Sequence, residues 1–279
     1  MELPCYHYAI GSCNGLTCFI NYVENKFYLW NPSTTPSSQN LTSFSFPFEH
    51  GELVFRFRFS FVYDNFTNKY KLVAFLYKKV RIFTFGDNVW KNIESFSVYP
   101  YHSNDNEGVY LNNSLNWFVF LNYKPFYNKE DLKVEQLMII SLDLATETYT
   151  QFQLPREFDE FPSLEPILCK LMDSLCLSHY TKKHSFVIWQ MTEFGVEKSW
   201  TKFLKFDYHS LLGCSIFVVS LLPLHMFENG DVLIWERNVG QLIRYNRRDN
   251  RVVKKTTYTN NNIYLSYAVL YVESLVSNF

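Results

Sequence analysis

The chain has 279 residues, of which 47% are hydrophobic, 19% aromatic and 19% charged, and its formal net charge is −1. This composition is typical of a packed globular protein, and the charge balance excludes a strong field for nucleic acid or an anionic membrane. No secretory signal opens the sequence, and its longest mostly apolar run, Ile216–Met226, is far shorter than the ~20 residues of a membrane helix. We therefore expect an intracellular protein, of the cytoplasm or nucleus, whose six cysteines are free thiols.

The predicted secondary structure is almost entirely β. Short apolar or alternating runs recur between Asn, Gly, Asp and Ser residues, and no segment keeps a 3.6-residue apolar period for three turns. Phe and Tyr are abundant, and aromatic side chains suit a pleated, half-buried surface. The clearest predicted strands are Leu16–Ile20, Lys26–Trp30, Arg56–Tyr63, Tyr70–Tyr77, Val80–Phe85, Ser114–Leu121, Leu137–Leu142, Ser174–Ser178, Ser185–Gln190, Asp231–Trp235, Gln241–Tyr245, Asn250–Lys254 and Tyr267–Tyr271.

A unit of strand, tight turn and strand recurs five times, roughly 50 to 60 residues apart, which is close to the spacing of kelch-type repeats. Each unit predicts one blade of about four short strands. We therefore predict an all-β, kelch-like β-propeller that forms a single domain over residues 1–279, with about five recognisable blades. The C-terminal strand Tyr267–Val276 is expected to close the ring, or to form an incomplete sixth blade. The five turns lie in Phe27–Thr34, Phe83–Trp90, Ser141–Tyr149, Ile188–Trp200 and Leu242–Val252.

Longer polar stretches interrupt this pattern, and loops on a rigid scaffold are where binding residues concentrate. The stretches are Ser97–Glu107, Asn122–Glu135, Arg156–Ser163 and Phe206–Cys214. The first two contain aromatic residues, which are favoured at interface hot spots. For each of these residues, simple capping of the core is the alternative. The candidate partner-binding residues are Tyr99, Tyr101, Tyr123, Phe126 and Tyr127.

Residue patterns for catalysis are weak. The segment Gly11–Gly15 has the outline of a nucleophile elbow around Cys13, but a strand follows it instead of a helix, and Asn14-Gly15 predicts a β-turn. Cys-x-x-Cys pairs, clustered histidines and Gly-rich phosphate loops do not occur. We expect no catalytic residue, no metal and no cofactor. The basic run Arg244–Lys255 predicts a solvated hairpin, with a phosphate-binding patch as the alternative.

Several stretches resemble the plant F-box-associated interaction domain, in order and over nearly the whole chain. The most specific is Trp189–Lys202. The hairpin Gly108–Trp117 departs from the family where Asn112-Asn113 replaces the usual Asn-Gly, which a left-handed turn tolerates. The other stretches are Gly11–Leu16, Leu29–Thr34, Tyr63–Asp64, Asn68–Val73, Ile140–Leu144, Glu147–Tyr149, Leu154–Pro155, Glu228–Val232, Tyr245–Asn246 and Tyr271–Leu275.

The resemblance implies a protein-binding module that is not an enzyme: the substrate-recognition part of a Skp–cullin–F-box E3 ubiquitin ligase, for an unknown target protein. Members of the family typically carry an N-terminal F-box, which binds a Skp-type adaptor. No such segment precedes Gly11 here, so we expect adaptor binding only if an F-box is supplied. The chain is interpreted as a fragment, a truncated product, or a protein that binds a target without delivering it.

Two other functions stay open at this stage. A small-molecule or carbohydrate-binding propeller predicts exposed tryptophans at a pocket floor. A propeller-scaffold enzyme predicts convergent ionisable groups with perturbed pKa values at the central channel. The six tryptophans occupy repeated strand and turn positions, which instead favours packing in the core or between blades.

Overall fold

A computed structural model describes residues 7–34, 42–47, 49, 53, 57–76, 79–93, 98–100, 108–121, 133–158, 166–182, 185–208 and 220–257. Within these ranges the chain is built from strands, with two short 3-10 helices at Val134–Gln136 and Glu197–Ser199. None of the described helical turns is long and apolar enough to cross a membrane. The strands are β1 His7–Cys13, β2 Leu16–Asn21, β3 Lys26–Trp30, β4 Thr42–Ser45, β5 Arg58–Asp64, β6 Lys69–Leu76, β7 Lys79–Thr84, β8 Val89–Ile93, β9 Val98–Pro100, β10 Val109–Leu111, β11 Ser114–Leu121, β12 Leu137–Asp143, β13 Tyr149–Phe152, β14 Ile167–Leu171, β15 Ser174–Tyr180, β16 Ser185–Met191, β17 Trp200–Asp207, β18 Leu221–Met226, β19 Val232–Glu236, β20 Gln241–Asn246 and β21 Arg251–Thr257.

These strands form five antiparallel sheets, and in each sheet consecutive strands are neighbours. In chain order the sheets are β1–β4, β5–β8, β10–β13 with β9 added, β14–β17 and β18–β21, here called blades 1 to 5. Such a series of four-stranded meanders is the arrangement of a β-propeller. The predicted all-β propeller and the prediction of about five blades are therefore confirmed.

The five predicted repeat units all map to the same place. Each begins in the third strand of one blade and continues into the turn toward the fourth strand, as in β7–β8 and β20–β21. In the short turns of blades 2 and 5, Asn88 and Asn250 adopt the left-handed backbone that a tight hairpin requires (φ 53° and 51°). The repeat in the sequence is thus the repeat of one hairpin.

Successive blades are held together by apolar clusters that combine side chains of two neighbouring sheets. Trp117 is 1% exposed and packs on Phe75 of blade 2, with ring centroids 5.2 Å apart. Trp200 is 9% exposed, and its indole N–H donates to the Gln153 carbonyl at 3.1 Å. Both tryptophans therefore pack at junctions between blades. Further contacts across junctions are Phe27–Phe59 at 4.9 Å and Phe206–Tyr245 at 4.7 Å.

The first strands of successive blades touch one another, β1 with β5, β10 with β14 and β14 with β18, so they lie on the inside of the ring. The fourth strands are outermost, and β21 is largely exposed. In such a meander the first–second and third–fourth turns lie at one end of each blade, and the ring gathers them on one face. We call this the upper face, and the opposite one, with the second–third turns, the lower face.

Blade 3 departs from the predicted loops. The stretch Ser97–Glu107 was predicted to be a loop, yet Val98–Pro100 forms a strand, because it pairs with the lower half of β11. The inner strand of this blade therefore comes in two pieces, β9 and β10, that share β11. The predicted loop Phe206–Cys214 likewise begins inside β17. The predicted closing strand Tyr267–Val276 lies outside the described residues.

Candidate protein-binding face

The predicted binding residues fall mostly outside the part of the chain that the structure describes. Tyr99 lies in β9, where its backbone is paired with Phe120. The two predicted stretches that contain these residues, Ser97–Glu107 and Asn122–Glu135, adjoin the same end of β11. Val98 pairs there with Leu121, the last described residue before position 122. Their role in binding stays a prediction. Outside the described residues lie Tyr101, Tyr123, Phe126 and Tyr127.

The upper face presents an aromatic side chain that the sequence reasoning missed. Phe66, in the turn between β5 and β6, is 76% exposed, the highest value for a large hydrophobic residue among the described ranges. Met172, in the equivalent turn of blade 4, is 58% exposed. Both turns follow inner strands, so both lie on the upper face. Exposed apolar side chains at such a site are candidates for contact with a partner.

A buried carboxylate fixes the backbone beneath Phe66. Asp64 is fully buried and accepts the Phe66 N–H at 2.9 Å and the Thr67 hydroxyl at 2.7 Å, as in an Asx turn. Lys71 is also buried, and its Nζ lies 2.7 Å from Asp64 Oδ2. The same ammonium donates to the Leu144 carbonyl of blade 3 at 3.1 Å. The charge pair therefore supports the turn and joins two blades.

Side chains of blade 3 complete this network. The Asn113 amide donates to Asp64 Oδ1 at 3.0 Å, and its Oδ1 accepts the Asn65 N–H at 2.9 Å. The Tyr110 hydroxyl donates to the Tyr63 carbonyl. The turn that carries Phe66 is thus bonded to the neighbouring blade on both sides of Asp64. We call Asp64, Lys71, Asn113, Tyr110 and Leu144 the blade 2–3 network.

The pKa values match these contacts. Burial by itself raises the pKa of Asp64, but hydrogen bonds from Lys71, Thr67, the Phe66 backbone and Asn113 outweigh it and lower the pKa to about 2. Asp64 is therefore ionised at neutral pH, as its bond to the ammonium requires. Burial, together with the nearby Cys13 and Asp64, raises the pKa of Tyr110 to about 12, so its hydroxyl remains a donor.

Asn113 is also the point at which the sequence departs from the family pattern. Asn112 and Asn113 both have left-handed backbone angles, φ 50° and 58°, so the prediction that this pair preserves the turn is confirmed. A glycine at position 113 has no amide with which to reach Asp64 and Asn65. The departure therefore adds hydrogen bonds between blades.

Gly108, which opens the same hairpin, has a steric role. Its φ is +85°, and a Cβ there would lie 2.5 Å from Trp117 Nε1 and 2.7 Å from Ser60 Oγ. Contacts this short do not occur for real Cβ atoms, so a larger residue would displace the buried indole. Gly108 and Trp117, the first and last residues of this hairpin, therefore pack closely against each other.

A second buried carboxylate lies at the equivalent turn of blade 5. Asp231 accepts from Arg244 Nε at 2.7 Å, Asn246 Nδ2 at 2.9 Å and Asn229 Nδ2 at 3.0 Å. Desolvation raises its pKa, and these hydrogen bonds, led by that of Arg244, outweigh it and lower the pKa. The Arg244 guanidinium lies over the Phe227 ring at 4.6 Å. All of these partners belong to blade 5, so this carboxylate stabilises one sheet.

The region around Cys13 is a turn, as predicted. Asn14 and Gly15 have φ 47° and 81° and connect β1 directly to β2. Burial raises the pKa of Cys13, which keeps the thiol protonated and weakly nucleophilic. The four cysteines within the described ranges are free, and no group of three or more His, Cys, Asp or Glu in those ranges is arranged to hold a metal.

The tryptophans pack in the core or between blades, as predicted. Trp90 is partly buried and its indole N–H donates to the Ser45 carbonyl at 3.3 Å. None of the six is among the exposed large hydrophobic residues of the described ranges. The remaining five, which are buried, are Trp30, Trp117, Trp189, Trp200 and Trp235.

The ring of four-stranded meanders and the apolar turns on its upper face define a β-propeller with a candidate protein-binding face. The F-box associated beta propeller domain matches residues 5–278, and the chain belongs to this family. An F-box/kelch-repeat protein of Arabidopsis thaliana is 28% identical over 88% of this chain and 63% of its own length. An F-box protein of the same plant is 24% identical over 95% of this chain and 60% of its own length. The chain thus spans about three fifths of these relatives.

Solved structures share the fold. A luciferin-regenerating enzyme has a TM-score of 0.50 and 12% identity, over 88% of this chain and 73% of that one. A catalytically inactive virginiamycin B lyase from Staphylococcus aureus has a TM-score of 0.50 and 10% identity, over 95% of this chain and 75% of the lyase. At such identities the likeness concerns the propeller fold alone.

Proposed function

We propose that this domain recognises the target protein of a Skp–cullin–F-box ubiquitin ligase and that it binds without catalysing a reaction. Membership of the F-box associated family, and the occurrence of the domain in F-box proteins, fit a substrate-recognition role. The structural observation that carries the proposal is Phe66, an exposed aromatic residue held in place on the upper face. On this proposal the blades are kelch-type repeats, and the protein acts in the cytoplasm or nucleus.

The physical argument concerns the cost of ordering a binding surface. A large aromatic side chain contributes binding energy when its apolar area is covered by a partner, and the gain is larger when little conformational freedom is lost. The backbone of Phe66 is already fixed by Asp64, which is in turn bonded to Lys71 and Asn113. Phe66 therefore meets the requirements of a hot-spot residue before any partner arrives.

The experiment compares two exposed apolar residues on opposite faces. The chain is fused to an F-box and expressed in plant cells, and its captured and ubiquitinated proteins are identified by mass spectrometry. We expect Phe66→Glu to reduce capture of the main target at least tenfold. Val23→Glu is the control, because Val23 is 71% exposed in the β2–β3 turn of the lower face. Equal capture by both variants would contradict the assignment of Phe66.

A second arm tests the division of labour between the domains. A Skp-type adaptor is pulled down with the bare chain and with the F-box fusion. We expect only the fusion to bind, and we expect Phe66→Glu to leave this binding unchanged. If the bare chain binds the adaptor, the adaptor contact lies within the propeller, and the propeller is not solely a target-binding unit.

A further inference from the structure

The hairpin of β20 and β21 concentrates positive charge. Residues 241–257 contain six basic side chains and one acidic side chain, whereas the whole chain has a net charge of −1. Arg247 and Arg248 are exposed in the turn, on the same upper face as Phe66, and Lys254 is exposed on β21. The rest of the molecule therefore carries an excess of acidic groups, and this hairpin stands out against it.

Two of the six cations form ion pairs, a third, Lys255, interacts electrostatically with Glu236, and the other three are not paired with a carboxylate among the described residues. Arg244 is paired with the buried Asp231 at 2.7 Å, and Arg251 lies 3.3 Å from Asp249. Within the described ranges, no carboxylate lies within ion-pair distance of Arg247, Arg248 or Lys254. Their charge is available to an anionic group from outside the chain.

The turn that carries the arginines is anchored before any ligand binds. Asn246 accepts the Asp249 N–H at 2.7 Å and donates to the buried Asp231 at 2.9 Å. The guanidinium of Arg247 lies over the Phe203 ring of blade 4, 4.5 Å from its centroid. Stacking uses the face of the guanidinium and leaves its in-plane N–H groups able to form bidentate bonds to a carboxylate. Less freedom is therefore lost when an anion binds.

The edge of the sheet indicates the shape of the ligand. β21 is the last strand of blade 5 among the described residues and pairs there with β20 alone. Val253, next to Lys254, is 51% exposed. An edge strand offers backbone N–H and C=O groups to an added extended segment, while side-chain contacts give specificity. An extended segment with alternating acidic residues fits both the backbone edge and the cations.

We propose that the β20–β21 hairpin binds an acidic, extended segment of a partner protein. That this partner is the ligase target rests on the proposed function above. Nucleic acid fits less well, because this basic cluster is confined to one hairpin of a chain with net charge −1. Among the described residues, the rings of Phe203 and Phe227 beneath the cluster are covered by Arg247 and Arg244. Binding to single strands normally uses a longer basic groove with free aromatic faces.

The test uses the full 279-residue chain and fluorescence anisotropy. The probe is a labelled 12-mer peptide of alternating Glu and Thr, and the same peptide with Gln in place of Glu is its control. We expect the Glu peptide to bind at least tenfold more tightly than the Gln peptide, and its affinity to fall with added salt. Arg247→Glu/Arg248→Glu should weaken binding at least tenfold, and the neutral pair Arg247→Gln/Arg248→Gln should weaken it less.

The matched control is Arg156→Glu/Lys198→Glu, which makes the same change in net charge at two exposed positions outside blade 5. It should leave peptide affinity within twofold. Equal binding of the Glu and Gln peptides would overturn the inference, as would equal weakening by the two double variants. Tighter binding of a 12-nucleotide oligo(U) than of the Glu peptide would overturn it in favour of RNA.

A further arm separates this inference from the proposed function. The F-box fusion carrying Arg247→Glu/Arg248→Glu is tested for target capture. Loss of capture together with loss of peptide binding supports both proposals. Target capture that persists in this variant overturns the hairpin as a target contact and leaves the role of the domain, and of Phe66, standing.

Discussion

Blades 2 and 5 each bury a carboxylate at the turn between their first two strands, yet the two carboxylates do different work. Asp64 is paired with Lys71, which is 7% exposed, and its network reaches blade 3 through Asn113. Asp231 is paired with Arg244, which is 38% exposed, and its partners belong to blade 5. The same turn chemistry joins two blades in one place and stiffens one hairpin in the other. Whether such a carboxylate joins two blades or stabilises a single blade therefore depends on where its partners lie.

The largest difference should appear when each cation is removed. Lys71→Met leaves a buried carboxylate without its counter-ion, and we expect a loss of about 3–5 kcal/mol in the free energy of unfolding. Arg244→Met should cost about 1 kcal/mol, because the Arg244 side chain is partly solvated and two Asn side chains still bond Asp231. Urea denaturation of both variants measures the contrast. Equal losses would show that the two pairs are energetically alike.

Acid should weaken the blade 2–3 network. The pKa of Asp64 is about 2 in the folded chain, below the ordinary value of ~3.9 in an unfolded chain. A depressed folded-state pKa contributes stability above the unfolded value, and that contribution is lost as the pH falls from about 4 through 2. We expect a loss of roughly 2 kcal/mol over this window. Urea midpoints between pH 5 and pH 2 measure it.

The matching variant for this titration is Asp64→Asn, which removes the titrating group. Its stability should be lower at pH 5 and should change less between pH 4 and pH 2. A wild-type decline that the variant reproduces in full would assign the acid sensitivity to other carboxylates.

The smallest effect is expected at the Asn pair of blade 3. Asn113→Gly removes the hydrogen bonds to Asp64 and Asn65 but relieves a left-handed backbone, so the net loss should be about 1 kcal/mol. Asn112→Gly relieves a similar backbone at an exposed side chain and should be neutral or slightly stabilising. Thermal melts of the two variants compare them directly. Equal melting temperatures would remove Asn113 from the network.

The sequence predicted the hairpins better than the contacts between them. The third–fourth turns recur in the sequence because each reverses the chain between two strands of one blade, with Asn, Gly or Asp in the turn. The clearest predicted strands do not include the inner strands β10 and β14. β10 has only three residues, and both strands are in contact with neighbouring blades, which a local pattern does not show. The bond from Asp64 to Asn113 spans 49 residues and leaves no local pattern.

Phe66 carried a signal that was overlooked. It is an aromatic residue in a polar turn, between Asn65 and Thr67, and the same reasoning selected Tyr99 in another polar stretch. Its turn is short and lies between two predicted strands, and the predicted binding residues come only from the longer polar stretches. Exposure, which separates a binding aromatic residue from a core one, is decided by packing and not by sequence neighbours.

The inner strand of blade 3 is divided into two pieces whose registers are set independently. β9 and β10 each pair with β11 at their own register, Val98 with Leu121 and Val109 with Asn116. The intervening stretch, 101–107, can therefore gain or lose residues without shifting a single pair of the ladder. An evolving lineage, or a protein engineer, has at this point a site for inserting foreign sequence that leaves the rest of the ring in register.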